Sequence, residues 1–592
     1  MDLRQFYGRR PSYRSRFVIS DAVPDDGNIS DTGDVSSDDD DDETDSDSDA
    51  DILYHAVNNS DNDSDSTDMY DTTTAHSDED DADQWSDKYT PKSFNLFAKD
   101  SGPFIVLPPD AEPLDYFEQL FPETLWTRLA TETNRYATEK APAKAQYDTD
   151  VKELKAFIAL TMAMSIHQLP RMKNYWSDDW VLSVPQFRQV FTRDRYLYLF
   201  YNVHMVDNST ALPRDDPSHD RLFKIRPLIN KLNETFQEAY SPSKNVSVDE
   251  SMVRFKGRSS LKQYLPMKPI KRGFKIWCLS CSGSGYLLQF RIYTGKDAEQ
   301  PGSLAERVVV ELVVPLCAKS NCTVFMDNFF TSLPLMKRLA EEGIHTCGTF
   351  RSNRVGFPAA LKDTGNVKQL KRGDAMFRYK GDTTALVWMD RKPVFVVSNA
   401  HSPIMESVRR KNKDGSVSLV NCPTIVADYN RYMGGVDLND QLKSYYQYNR
   451  KSRRWWLRLF FHLLDVTVVN AYILYLQVYR IHCHPPQKYR PIDQLSFRCR
   501  LIDQLVDHFS CRKEKGRVSK TVVSLVPSGH NIVDLRQYGV PSGRCEYCSI
   551  GKYKYRKRKE TQFGCRKCNK RLCPTGCWTD FHKKHLRHGG KQ

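Results

Sequence analysis

The chain has 592 residues and a formal net charge of +12 at pH 7, but this charge is divided unevenly along the sequence. Residues 1–87 carry 27 acidic and 5 basic side chains, a net charge of −22, so that residues 88–592 carry a net charge of +34. A body this basic is expected to bind a polyanion. The length suits several domains. Residues 1–20 contain five arginines and no long apolar run, which excludes a secretory signal peptide.

The distribution of apolar residues and cysteines excludes two further classes of protein. The most apolar long segment, 455–479, contains charged residues, and its longest uncharged run, 466–479, is shorter than the roughly 20 residues that span a membrane. Of the 15 cysteines, six lie within 545–577, which is typical of metal binding in a reducing compartment and not of a disulfide framework. We therefore expect a soluble intracellular protein that does not act at a membrane.

In chain order, the first predicted region is an acidic, disordered segment over 1–90. It contains repeated Ser–Asp pairs, and mutual repulsion and a scarcity of apolar residues keep such a segment unfolded. Many of its serines precede acidic residues, so phosphorylation could add further negative charge. The segment is either a solubilising tail or a regulatory element, and the sequence favours neither.

Ordered structure is expected from about residue 110, first as helices and then as a mixed α/β region. Apolar residues three and four positions apart predict helices over 151–160 and 193–200. From residue 245 the pattern changes, and it predicts these elements: strands over 246–248 and 322–326, a hairpin of 274–279 and 287–293, and helices over 304–314, ended by Pro315, and 333–342. Residues 351–423 are expected to be mainly β, and helices resume after Gly435. The fold class is therefore multidomain α/β (α+β).

Four aspartates stand at positions that suit catalysis. Asp249 and Asp327 each follow a short apolar strand, where a side chain emerges at the rim of a sheet. Asp437 and Asp440 are three residues apart at the start of a helix, so their carboxylates share one face. Carboxylate oxygens are the ligands of hard divalent ions such as Mg²⁺. Taken alone, however, an aspartate after a strand is more often a turn former or a helix cap.

Three sequence blocks resemble those of piggyBac-family transposases, and they occur in that family's order. They are VDESM at 248–252 with FKGR at 255–258, MDNFFTS at 326–332, and MGGVDLNDQ at 433–441. The similarity extends from about residue 113 to 479 and resumes in the cysteine-rich C-terminal segment. The acidic segment resembles the family only in composition.

The resemblance implies a division of the chain into domains. A ribonuclease-H-like catalytic core would comprise 244–350 and 424–446, with a β-rich insertion over 351–423. A helical dimerisation and DNA-binding domain would have two parts, 110–243 and 447–525. A linker over 526–544 would lead to a cross-braced zinc-binding domain over 545–588.

The resemblance also implies the activity, which is that of a nuclear, metal-dependent DNA transposase working at least as a homodimer. Such enzymes act on double-stranded DNA and not on a small molecule. They cut transposon ends and join them to TTAA sites by phosphoryl transfer, through hairpin intermediates. Asp249, Asp327 and Asp437 match the family's catalytic aspartates, and Asp440 matches its fourth acidic position. Two Mg²⁺ or Mn²⁺ ions are the expected cofactors of this site.

Further residues match family positions that contact DNA. Arg351 and Arg354 lie in the block GTFRSNR at 348–354, and guanidinium groups where a strand ends suit phosphate. A solvated polar turn is the other interpretation of this block. Trp455 matches a family tryptophan near flanking DNA and could stack on an unpaired base. It could equally be a core residue, because large apolar residues follow it at helical spacing.

The C-terminal segment has eight Cys and His residues at the spacing of two tetrahedral zinc sites, which would be structural because no ligand position is left open. The interleaved pairing resembles the family's cross-brace, and it places four ligands at each ion: Cys545, Cys548, Cys573 and Cys577 at one, and Cys565, Cys568, His582 and His585 at the other. His588 could replace His585 as the last ligand. A basic run at 552–559, which includes Lys557 and Arg558, is expected to contact DNA or to serve as a nuclear localisation signal.

Two other functions are compatible with the same sequence. The chain could be a host-retained, transposon-derived protein that binds DNA or chromatin without strand transfer. Interleaved double-zinc modules also occur in ubiquitin ligases and in readers of histone tails. The basic body favours DNA as the partner.

Overall fold

The computed structural model describes residues 85–585, except 93–94, 106, 109, 141–146, 267, 296–301, 413–414, 483–490, 512–529, 550–558, 566 and 575. The side chains of 549 and 583–585 also lie outside this description. Both halves of the predicted helical region and the mixed α/β region are found within it, and one nine-stranded sheet joins the elements of the latter.

The first part of the described chain is helical, as predicted. Its helices are α1 (Pro113–Leu120), α2 (Glu123–Lys140), α3 (Val151–Ile166), α4 (Pro185–Val190), α5 (Arg193–Asn202) and α6 (Arg226–Ala239). A two-residue strand on each side, β1 (Gly102–Pro103) and β2 (Tyr240–Ser241), forms a small antiparallel pair. A buried ion pair between Glu153 of α3 and Arg195 of α5 fixes these two helices side by side, because neither charge could remain buried without the other.

The central sheet begins after α6. Its first elements are β3 (Asn245–Arg254), β4 (Gln263–Tyr264), β5 (Arg272–Cys281), β6 (Leu287–Ile292), α7 (Leu304–Cys317), β7 (Thr323–Met326), α8 (Leu333–Glu341) and β8 (His345–Thr349). The hairpin β5–β6 is confirmed, and β5 pairs antiparallel with β3. Strands β3, β7 and β8 run parallel, with α7 and α8 in the connections. The predicted end of α7 at Pro315 is wrong, since the helix continues to Cys317.

Part of the β-rich segment over 351–423 belongs to the central sheet, and part forms a separate pair of strands. It contains α9 (Ala359–Lys362), α10 (Thr364–Gln369), β9 (Ala375–Lys380), β10 (Thr383–Met389), β11 (Pro393–Ser398), β12 (Met405–Lys411) and β13 (Val417–Pro423). Strand β11 pairs antiparallel with β8, so β11, β10 and β9 extend the central sheet. Only β12 and β13 form a separate two-stranded ribbon. The insertion is therefore continuous with the sheet that carries the site.

Trp85 and Ser86 pack on this extension, although the predicted disordered segment ran to residue 90. Ser86 forms an antiparallel bridge with Tyr379 of the edge strand β9, with both backbone hydrogen bonds at 2.9 Å. Trp85 donates its indole N–H to the carbonyl of Gly356 at 3.0 Å and packs against an apolar cluster that includes Phe350. The large aromatic side chain of Trp85 therefore anchors this segment, which the acidic composition does not indicate.

The chain then returns to helices, which are α11 (Thr424–Tyr432), α12 (Gly435–Ser444), α13 (Trp455–His482) and α14 (Gln494–Val506). Helix α13 is long and apolar enough to cross a membrane by length and composition, with a mean hydropathy of 1.7 in its most apolar window. However, 94% of that window is buried against α1, α12, α14 and the sheet, as in the core helix of a soluble protein. Asp465 within it pairs with the buried Arg498 of α14, and Asn470 bonds to the backbone of Leu287.

The C-terminal elements are β14 (Ile532–Asp534), β15 (Gly543–Arg544), α15 (Glu546–Ser549), β16 (Glu560–Thr561), β17 (Phe563–Cys565), β18 (Lys570–Arg571) and α16 (Cys577–His585). The predicted linker over 526–544 is in part folded into this module. Strand β14 pairs with β17, and the backbone N–H of the buried Leu535 donates to the carbonyl of Gln562. The module thus begins before its first cysteine.

Candidate active site and metal centres

Two of the predicted aspartates lie side by side on neighbouring strands. Asp249 is in the middle of β3, not at its end as predicted, and Asp327 directly follows β7. The parallel register pairs Val248 with Met326, so Asp249 and Asp327 occupy the next position on adjacent strands, which lie about 4.8 Å apart. The backbone N–H of Phe329 donates to Asp327 Oδ1 at 2.9 Å and holds this carboxylate at the rim of the sheet.

The third aspartate is brought to this point by helix α12. Gly435 lies directly against β3, because a Cβ atom there would come within 2.5 Å of Ser247 Oγ and 3.0 Å of the carbonyl of Cys281. The helix can therefore approach the strand closely, and its first turn places Asp437 near Asp249. Three elements that are distant in sequence thus contribute one carboxylate each.

Mutual repulsion and burial change the acidity of these carboxyl groups. The pKa of Asp249 is raised to about 8, first by burial and then by the charges of Glu250, Asp327 and Asp437. Burial and the charge of Glu250 also raise the pKa of Asp327. Each pKa reports that a bare negative charge is unfavourable at this position, which a bound cation would reverse.

Glu250 is a site residue that the sequence analysis missed. Strand alternation predicts that it faces away from Asp249, yet its charge acts on both Asp249 and Asp327. Burial would raise the pKa of Glu250, but Lys275 and a hydrogen bond from Lys268 outweigh burial and lower it. The Lys268 ammonium lies 2.7 Å from Glu250 Oε1. Lys268 lies in the connection between β4 and β5, and the fold brings it next to Glu250. No sequence motif links it to the aspartates.

The donor set of this site fits a hard divalent cation. It consists of carboxylate oxygens on three elements, the chemistry that Mg²⁺ and Mn²⁺ select. Among the described residues, these carboxylate oxygens do not all lie within 4.8 Å of one another. The ligand atoms of the two Cys and His sets described below do lie that close together.

The fourth predicted acidic residue, Asp440, has a different environment. Its Oδ1 accepts hydrogen bonds from Ser251 Oγ at 2.8 Å and from Lys443 Nζ at 2.5 Å. Asp440 therefore contacts β3 through Ser251 and pairs with Lys443 of its own helix. The sequence analysis singled out neither Ser251 nor Lys443.

The two predicted arginines differ in accessibility. Arg351 is exposed, and its Nε lies 3.4 Å from Asn328 Oδ1, next to Asp327. Arg354 is half-buried and donates to the backbone carbonyls of Phe329 and Thr331, so it fixes the loop that follows Asp327. Trp455, the first residue of α13, is half-buried and packs against the core, and its contact with DNA stays a prediction. Lys557 and Arg558 lie outside the described residues.

The C-terminal module brings together two sets of ligand atoms that could each hold a metal ion. Within each set, all the atoms lie within 4.8 Å of one another; the first set is Cys545, Cys548, Cys573 and Cys577, and the second is His530, Cys565, Cys568 and His582. The two sets alternate along the sequence, as the predicted cross-brace requires.

The second set differs from the predicted one by a residue that the sequence analysis missed. His530 Nδ1 lies 3.2 Å from Cys568 Sγ and 3.5 Å from Cys565 Sγ, so it fills the position assigned to His585. The side chain of His585 lies outside the described residues. His582 Nδ1 lies 2.7 Å from the carbonyl of Trp578, which directs its Nε2 toward Cys568.

Comparison with known proteins gives consistent matches. A sequence profile of the family described as Transposase IS4 matches residues 112–472. Human PiggyBac transposable element-derived protein 2 is 29% identical over 400 residues, which cover 66% of this chain and 64% of that protein, slightly less than two thirds of it. Human PiggyBac transposable element-derived protein 3 is 26% identical over 484 residues, covering 79% of this chain and 76% of that protein.

A solved structure has the same fold. The cryo-electron microscopy structure of the piggyBac transposase synaptic complex with hairpin DNA matches with a TM-score of 0.60 at 24% identity, covering 69% of this chain and 83% of that one. The profile covers more than half of the chain, and the relatives and the solved structure are all of piggyBac type. The chain therefore belongs to the piggyBac-type transposases of the Transposase IS4 family.

Proposed function

We propose that this protein is a DNA transposase that cleaves and joins DNA strands with two divalent metal ions held by Asp249, Asp327 and Asp437. The observation that carries the proposal is the pairing of Val248 with Met326, which sets the first two aspartates side by side while α12 adds the third. The strand order β6–β5–β3–β7–β8 and the position of these aspartates support a ribonuclease-H-like core.

Double-stranded DNA is the proposed substrate. The basic charge of the body and the exposed Arg351 beside Asp327 suit a phosphate backbone. The solved relative is a synaptic complex with hairpin DNA. By analogy we propose a homodimer that acts in the nucleus, cuts transposon ends through hairpin intermediates and joins them at TTAA sites.

The residues of the site have separable roles in this proposal. When bound, the metal ions would activate the attacking oxygen and stabilise the leaving oxygen. Glu250 keeps Lys268 next to the carboxylates, and Arg354 fixes the loop that carries Asp327. Arg351 is accessible to a DNA phosphate. The two Cys and His sets would each hold a structural zinc ion and thereby shape a DNA-binding module.

The decisive experiment first sequences the DNA that flanks the gene for inverted repeats bounded by TTAA, and then compares wild type with Asp327→Asn on duplex DNA that carries those repeats. Strand cleavage by wild type should require Mg²⁺ or Mn²⁺, and Asp327→Asn should reduce it to the level without protein while DNA binding persists. Asp374→Asn is the matched control, because Asp374 is an exposed turn residue that accepts a hydrogen bond from Lys371 N, and it should cleave normally.

Two outcomes would contradict the proposal. Cleavage that persists in Asp327→Asn would show that the metal site lies elsewhere. Wild-type protein that binds these DNA ends but does not cleave them would support the alternative, a host-retained DNA-binding protein without strand transfer.

A further inference from the structure

A charge pair with one buried member, Lys443, joins α12 to β3 close in sequence to the proposed catalytic aspartates. The side chain of Lys443 is 5% exposed, and its Nζ lies 2.5 Å from Asp440 Oδ1 and 3.5 Å from Ser251 Oγ. Ser251 Oγ donates to the same Asp440 oxygen at 2.8 Å. Asp440 is 36% exposed, so the lysine is the member of the pair that is enclosed by protein.

The surroundings of Lys443 make this pair necessary. Together with Ser251, Asp440 and the buried His462, it lines a cavity of about 10 Å³, the size of a single water molecule. Burial, followed by the charges of Lys443 and Arg458, lowers the pKa of His462 well below its usual value, so this imidazole is neutral and cannot balance the charge of Lys443. An ammonium group enclosed in this way is stable only if a carboxylate accompanies it.

The pair connects the two elements that carry the proposed metal ligands. Ser251 is two residues after Asp249 on β3, so their side chains share one face of the strand. Asp440 is three residues after Asp437 on α12, so these two side chains share one face of the helix. The contact of Asp440 and Lys443 with Ser251 therefore sets how Asp437 stands relative to Asp249.

We infer that Lys443 is a positioning residue and that Asp440 is its partner rather than a ligand of the catalytic metal ions. The lysine holds Asp440 against Ser251 and thereby fixes α12 on β3 with Asp437 beside Asp249. Asp440 Oδ1 accepts hydrogen bonds from both Lys443 Nζ and Ser251 Oγ, so this oxygen serves to hold α12 on β3. The inference concerns the metal site of the proposed function and rests on it.

The test compares single variants with a double variant of the full-length protein. Asp440→Asn leaves the buried lysine without a carboxylate, and Lys443→Met leaves Asp440 without its cation. The double variant Asp440→Asn/Lys443→Met removes both charges, and its amide oxygen can still accept the Ser251 hydroxyl. Replacing both members of a buried pair is often neutral for stability, whereas removing one is costly. Lys362→Met, on the exposed side of α9, controls for the loss of a lysine.

The primary measurement is Mn²⁺ affinity by titration calorimetry, with melting temperature and strand cleavage recorded for each variant. Each single variant should bind Mn²⁺ about 10- to 100-fold more weakly, the range observed when a residue that orients a metal ligand is removed. The double variant should recover affinity and cleavage to within about threefold of wild type, since a true metal ligand could not be rescued in this way. Asp437→Asn should lose Mn²⁺ binding, and Lys362→Met should retain it.

Two results would overturn the inference. One is a double variant that melts like wild type but loses Mn²⁺ binding as completely as Asp437→Asn, which would make Asp440 a ligand. The other is a Lys443→Met variant with wild-type Mn²⁺ affinity. The Mn²⁺ titration decides the inference by itself, so a wild-type protein that binds Mn²⁺ without cleaving DNA contradicts only the proposed function.

Discussion

His530 lies before the cysteine-rich segment, yet its imidazole joins Cys565, Cys568 and His582 around one point. Strand β14 begins two residues later and pairs with β17, which ends at Cys565. This pairing carries the histidine to the sulfur atoms. Sequence spacing could not identify His530, because it lies far outside the interval in which a compact motif is sought, and the contact depends on strand pairing.

His530→Ala should lower the zinc content of the purified protein from about two ions per chain to about one, because a tetrahedral structural site requires four ligands. Mass spectrometry of bound metal provides the measurement. His482→Ala, at an exposed helix end, is the control and should retain both ions. A variant His585→Ala that loses an ion while His530→Ala keeps both would restore the ligand set predicted from the sequence.

At the scale of elements, the contact of α12 with β3 depends on the absence of a side chain at residue 435. A methyl group there would meet Ser247 Oγ and two backbone groups of the β5 end, and backbone cannot move as cheaply as a side chain. The helix would have to move outward and would take Asp437 with it. The geometry of the acidic site is thus set by packing as well as by its charged residues.

Gly435→Ala should destabilise the protein by about 1–3 kcal/mol, the usual cost of overpacking a close contact. It should also weaken Mn²⁺ binding, because Asp437 moves away from Asp249. Gly283→Ala, in the turn between β5 and β6, is the matched control, since a Cβ atom there has nothing within 4 Å. Thermal unfolding and Mn²⁺ titration of both variants provide the comparison, and equal results for the two would refute the packing argument.

The elements that the sequence predicted well are those with a clear period and clear ends. The hairpin β5–β6, the strand before Asp327 and helix α8 have apolar alternation or helical spacing bounded by glycine, serine or proline. The extent of β3 beyond Asp249 was missed because its continuation, Glu250 and Ser251, is polar. Those residues form strand because β5 pairs with them throughout, which is a contact between distant segments.

Helix α7 shows a second limit of prediction from local sequence. Pro315 lacks the N–H that would bond to the carbonyl of Glu311, and a helix is therefore expected to end before it. Glu311 is exposed, so its carbonyl can bond to water, and the buried Cys317 two residues after Pro315 favours continuation.

Prediction of the metal site from local sequence had a similar limit. The three aspartates were identified from family blocks, whereas Glu250, Lys268 and Lys443 reach the site only through the fold.

At the scale of the whole molecule, the dominant feature is the opposition of an acidic segment and a basic body. The net charge of residues 1–87 is −22, and these residues join the body at Trp85, whose indole bonds to Gly356 close to Arg351 and Arg354. The acidic segment is therefore attached near Arg351, the exposed arginine that is expected to face DNA. Two polyanions would then compete for the same basic surface.

Deletion of residues 1–84 should increase affinity for duplex DNA at low salt, and the difference should shrink as salt concentration rises, because screening weakens both interactions. Fluorescence anisotropy over a series of NaCl concentrations measures this effect. A control protein in which residues 1–84 are replaced by an uncharged Gly/Ser segment of the same length separates the effect of charge from the effect of length. Affinity that is unchanged at every salt concentration would contradict competition by the acidic segment.

The bridge between Ser86 and Tyr379 has a consequence for how this protein behaves when shortened. Strand β9 is the last strand of the nine-stranded sheet, and Ser86 covers the backbone N–H and carbonyl of Tyr379 at that edge. A chain that started after Ser86 would leave an open strand edge able to pair with another copy. Self-association and loss of solubility should therefore appear when a truncation passes residue 86, and a form that keeps Trp85 and Ser86 should remain monodisperse.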